Sequence, residues 1–295
     1  MSGFRCCASL LAAAGLGLLV GCHSFKIPGI SGDRADRVEK DDREDVPGRP
    51  NKYSFRASQY VFYSDFEIKR DLPIFRELSE LRDQVYKELQ LPAPGSDTLI
   101  HVYLFADEDH YKRFIEAKYP GLPGRRAFFM EEQPRGLGRG ELLVFTFWSN
   151  RLRTDLRHEL THALLHSVLK EVPLWLDEGL AEYFELPPAW SGLDRRHVQA
   201  LREKGVHPDL ARLEQLSEVK DMDADRYREA WAWVYLMLRD SPEAKEVLLA
   251  YLQQLRTKAN PGPIQPRLAG ALPGLDDRLD RLLVRLADER RADKR

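Results

Sequence analysis

Cysteine is scarce and confined to one end of the chain: Cys6, Cys7 and Cys22 are the three that occur. Everything after Cys22 can therefore build neither an internal disulfide nor a thiolate metal site, and it offers no cysteine nucleophile. An excess of charge is missing too, since 45 Lys and Arg stand against 47 Asp and Glu, a net charge of −2. That balance gives no electrostatic reason to expect a nucleic acid partner. There is no G-x-S-x-G elbow to carry a serine nucleophile, and no internal repeat. The longest apolar run, about Ala8 to Val20, is too short and too poorly flanked for a stable membrane span.

What is present suits a folded, exported domain. Of 295 residues 43% are hydrophobic and 31% charged, enough for a core beneath a soluble surface. "MSGFRCCASLLAAAGLGLLVGC" has one early cation, Arg5, ahead of the apolar run and reads as an export signal. Leu19-Val20-Gly21-Cys22 resembles a bacterial lipobox, which implies removal of residues 1–21 and acylation of Cys22. The expected location is the cell envelope, on a lipid anchor. His23 in place of an aspartate favours the outer membrane of a cell that has one. Residues 22–52 are rich in Gly, Pro and charge and cannot bury enough apolar area to order themselves. As a flexible tether they would span about 30 Å.

The pattern predicts a folded part from about Tyr53, dividing into an α/β half over 53–188 and a helical half over 189–295. Strands are expected at 59–66, 98–105 and 141–148, with a short one following "GLPGRRAFF". Helices are expected at 72–90 and 107–119. Another should start with Thr154 or Asp155 as its cap and end before Pro173, and a further one should cover 173–185. Beyond Leu193 the helical stretches are 194–204, 210–218, 224–239, 242–256 and 275–290.

The helix after Asp155 carries "DLRHELTHALLH". Residues four apart project from one helical face about 6 Å from each other, so His158 and His162 can offer two ring nitrogens to one zinc. Glu159 then turns toward the open side, where a carboxylate can take a proton from a water that zinc has made acidic. H-E-x-x-H arises by chance in roughly 2% of chains of this composition, so its surroundings must decide. His166 is on the same face but about 12 Å from His158 along the axis, too far for one metal without a break in the helix. Glu178, beyond Pro173 in "PLWLDEGLAEYFE", is the better third ligand. Glu182, one turn later, can accept a hydrogen bond from a ligand imidazole. The plainer alternative is that Glu178 and Glu182 belong to an exposed acidic face. The remaining histidines, His23, His101, His110, His197 and His207, have no ligand-like spacing. "GRR" at 124–126 could meet a substrate carboxylate or simply be a solvated loop.

"HELTH" followed by "PLWLDEGLAEYFE" resembles the gluzincin metallopeptidases, specifically the peptidase MA-like group of thermolysin- and aminopeptidase-related zincins, over about residues 58–255. The resemblance implies an α+β zincin core with a small mixed sheet and an active-site helix. It also implies Zn2+ on His158, His162 and Glu178, with Glu159 as general base. An edge strand that pairs with a peptide or protein substrate is implied as well, for which "ELLVFTFW" (141–148) is the counterpart. Relatives draw an oxyanion-stabilising Tyr or His from the helical half, and Tyr227 is the candidate, with core packing the competing role. The G-x-M-E-N loop of the aminopeptidases is absent, which removes the usual ground for exopeptidase activity. A rival reading is a catalytically silent zincin fold acting as an envelope binding or scaffold module.

Overall fold

Alternation with a period of two sorts the strand side chains onto two separate cores in the computed structural model, which describes residues 47–95, 98–120, 124–132 and 140–292. Phe62, Val102, Leu104, Phe129 and Val144 enter one buried cluster. Tyr63, Tyr103, Phe105, Phe128 and Phe145 enter the other. The signal segment, Cys22 and the tether up to residue 46 lie outside the described residues.

Among the described residues the first element is a hairpin of β1 (Tyr53–Ala57) and β2 (Tyr60–Ser64), then come α1 (Pro73–Glu88), β3 (Ile100–Phe105), α2 (Glu108–Lys118), β4 (Ala127–Glu132) and β5 (Glu141–Phe147). Helices follow: α3 (Leu152–His166), α4 (Leu174–Phe184), α5 (Arg195–Lys204), α6 (Leu210–Leu213), α7 (Ala224–Arg239), α8 (Pro242–Leu255), α9 (Gln265–Ala271) and α10 (Leu275–Ala292). The fold is thus mixed α+β and mostly helical.

The five-stranded sheet has the order β1-β2-β3-β5-β4, with β2, β3 and β5 parallel and both end pairs antiparallel. Leu78, Leu81 and Val85 of α1 and Leu156, Leu160 and Leu164 of α3 cover one face. Tyr111, Phe114 and Ile115 of α2 cover the other. This order corrects one expectation. The segment "ELLVFTFW" is not an edge strand: β5 lies between β3 and β4, and six of its seven residues are buried. A strand covered on both faces reads as a continuous apolar run, and this one does. The edge next to the site is β4.

Three smaller differences have local causes. Helix α3 begins at Leu152 without a side-chain cap, and the expected cap Asp155 lies in its first turn, where it accepts a hydrogen bond from Arg126 Nε at 3.2 Å. Helix α6 stops at Leu213, well short of residue 218. Strand β1 and helix α9 were not anticipated. One buried cluster extends from Tyr60 to Leu286, so the halves divided at 188/189 differ in secondary structure but share a core.

Candidate metal centre

Leucines at 156, 160 and 164 turn one side of α3 into the core. The other side, which bears His158, Glu159 and His162, faces α4. Between the helices the chain turns at Pro173, whose carbonyl accepts from the N–H groups of Leu176 and Asp177 at 2.9 Å each. Trp175, Leu176, Leu180 and Phe184 bury the core side of α4, and Asp177 and Glu178 are fully buried against α3.

The expected ligands come together. His158 Nε2 lies 3.5 Å and His162 Nε2 3.6 Å from Glu178 Oε2, and the three ligand atoms fall within 4.8 Å of one another. Bonds of 2.0–2.2 Å in a tetrahedral site put ligand atoms about 3.4 Å apart, so the two spacings to Glu178 suit a shared metal ion. Neither oxygen of Glu178 accepts a hydrogen bond from a described residue. A carboxylate sealed in that way is costly unless a cation compensates it. The donor set, two imidazoles and a carboxylate, matches zinc chemistry.

Both imidazoles are oriented from behind. His158 Nδ1–H donates to Glu185 Oε2 at 3.1 Å, and His162 Nδ1 stands 3.0 Å from Asp177 Oδ1. A carboxylate behind Nδ1 keeps the proton there and leaves the Nε2 lone pair directed at Glu178. Asp177 also binds His166 Nε2 at 3.0 Å, so one buried carboxylate serves two histidines. Burial alone would raise Asp177, but His162 and His166 outweigh it and hold its carboxyl well below the usual range.

Glu182 and Glu185 both stand near His158, with ligand atoms of the three residues within 4.8 Å of one another. The Glu182 carboxylate accepts from His197 Nε2 at 2.7 Å, on α5, while Glu185 occupies the place behind His158. His197 is therefore a partner within the site's surroundings, although its spacing in the sequence is not that of a ligand. His101, His110 and His207 lie against Tyr63, Asp65 and Asp280.

Arg157 was not singled out in the sequence. Its buried guanidinium donates to the carbonyls of Phe184, Glu185 and Leu186 at 2.7, 3.1 and 2.8 Å, closing the end of α4 and fixing Glu185. Burial lowers its pKa to about 10. An Arg between Leu156 and His158 carries no local sign of this role.

Glu159 is buried, and burial raises its carboxyl against the opposing pull of His158, His162 and Arg125. The Tyr227 hydroxyl, at the head of α7, accepts from Arg125 Nη2 at 3.1 Å. A cleft of about 310 Å3 has His158 and Glu159 in its lining, together with Gly124 to Ala127, Asp155, Glu182 and Glu185. The family described as "Protein of unknown function (DUF1570)" matches residues 154–261, a span that includes His158, Glu159, His162, Glu178 and Tyr227. No curated protein matches the chain.

Proposed function

We propose that the protein is a zinc-dependent metallopeptidase with a zincin-type core, exported and held at the cell envelope through Cys22. The observation that carries this reading is the buried His158–His162–Glu178 cluster with Glu159 beside it and a cleft above it. Zinc in that cluster would supply Lewis acidity, polarising a peptide carbonyl and making the attacking water acidic near neutral pH.

The chain's own groups account for the rest. Asp177 and Glu185 hold the two imidazoles with Nε2 facing the cluster. Glu159 accepts the proton of the attacking water at its carboxylate and returns it to the leaving amine, and burial, by raising that carboxyl, suits it to both steps. Tyr227, whose oxygen accepts from Arg125, is the candidate to stabilise the oxyanion that forms on the substrate. Strand β4 ends the sheet at the cleft and can take an extended peptide as one more strand. No described helix is long and apolar enough to cross a membrane, which fits attachment through a lipid.

Glu159→Ala separates binding from chemistry. The variant should retain wild-type zinc content while its peptide hydrolysis falls by at least about a hundredfold. Turnover equal to wild type would remove Glu159 as the base. A zinc-loaded wild type that leaves a diverse peptide library intact would favour the silent binding module.

A further inference from the structure

His166 is the histidine of the motif helix that the ligand cluster leaves over. It lies one turn beyond His162 on α3, too far along the axis to share a metal with His158. Its side chain is nevertheless only 6% exposed, and its Nε2 meets Asp177 Oδ2. We propose that His166 is a positioning residue of the metal centre: it holds Asp177 so that the other oxygen of that carboxylate keeps His162 turned with Nε2 toward Glu178. The inference rests on the metal-centre reading of the cluster and adds to it a residue outside the ligand set.

An aspartate side chain turns about two bonds, so a carboxylate that orients an imidazole does so best when both of its oxygens are held. In Asp177 each oxygen has its own ring. Oδ2 accepts from His166 Nε2–H at 3.0 Å, and Oδ1 stands 3.0 Å from His162 Nδ1. The two histidines are four residues apart on one helix, which brings their rings onto one face and lets a single carboxylate of α4 span them. Phe129 of β4 backs both rings, with its centroid 6.4 Å from that of His162 and 5.2 Å from that of His166. Asp177 and His162 are fully buried. Removing the His166 donor therefore takes a hydrogen bond from a carboxylate that water does not reach, and Asp177 is then free to turn away from His162.

The test measures the affinity of the full chain for Zn2+ by competition with a chromophoric chelator, and melts in EDTA show that each metal-free variant is folded. The side-chain amide of His166→Asn is too short to reach Asp177, whereas the amide nitrogen of His166→Gln falls near the place of Nε2. His166→Asn should bind zinc about tenfold more weakly, and His166→Gln should stay within about threefold of wild type. In an Asp177→Ala background His166→Asn should change affinity by less than about twofold, because the group through which it acts is gone. If His166→Asn does not fold, His166→Leu takes its place, since it too has no donor for Asp177. Unchanged affinity in the variant without a donor, an equal loss in His166→Gln, or the same loss with and without Asp177 would overturn the proposal. Failure of the metal-centre reading shows separately, as a wild type that binds no zinc.

Discussion

At the residue scale, the groups behind the ligands matter as much as the ligands. The four-residue spacing of His158 and His162 is a local property of a helix and was legible directly. What stands behind each ring depends on how α4 docks, which residue spacing alone does not give. Glu182 sits four residues after Glu178, about 40° around the helix from it. Glu185 sits seven after, only about 20° away, and one turn further along, where His158 Nδ1 meets it. Asp177, adjacent to Glu178, gave no sign of its role because it points back along α3 to His162 and His166. Outer carboxylates of this kind usually change metal affinity by about 10–100-fold, so Asp177→Asn and Glu185→Gln should each weaken zinc binding by that factor in a chelator competition. Unchanged affinity in both variants would mean that the imidazoles need no support.

At the element scale, two features position the site. Helix α4 lies directly on α7 because residue 179 is glycine: a Cβ there would stand 2.6 Å from the carbonyl oxygen of Ala230 and 2.9 Å from Val234 Cγ2. Gly179→Ala should cost about 1–3 kcal/mol by denaturant unfolding, and a neutral result would show that the two helices can separate freely. Helix α5, which supplies His197 to Glu182, is capped by Asp194, whose carboxylate accepts from the N–H groups of Arg196 and His197 at 2.7 and 3.3 Å. Burial pushes the Asp194 carboxyl up, but Arg196 and His197 outweigh it and the net shift is downward. A carboxyl lowered in the folded state stabilises fully above its unfolded pKa of about 3.9 and ceases to do so as pH falls through the lower folded value. Asp194→Ala should therefore destabilise at pH 7 by about 1 kcal/mol and by much less near pH 2, in melts run at both.

Most elements were readable from periodicity, and those that were not have physical reasons. Strand β1 is short and mostly exposed, and it sends only Phe55 and Ala57 toward the core. Helix α9 starts within "NPGPIQP", whose turn signals mask a helix with a single buried anchor, Leu268. For "ELLVFTFW" the strand itself was plain. Its place in the sheet was not, because strand order is set by pairing between distant segments.

At the scale of the whole molecule, the site forms where the sheet half meets the helical half. Helices α3 and α4 supply the His158–His162–Glu178 cluster and Glu159, the head of β4 supplies Arg125, and α7 supplies Tyr227, whose hydroxyl meets Arg125. A shared core running from β2 to α10 is what holds these groups in one place. The account stands or falls on the His158–His162–Glu178 cluster being a metal centre. The measurement that tests this most directly is the zinc content of the full chain, purified without chelators, beside a Glu178→Ala variant. The account predicts about one zinc per wild-type chain and a marked loss in the variant. A wild-type chain that is empty as purified and takes up no added zinc would contradict it.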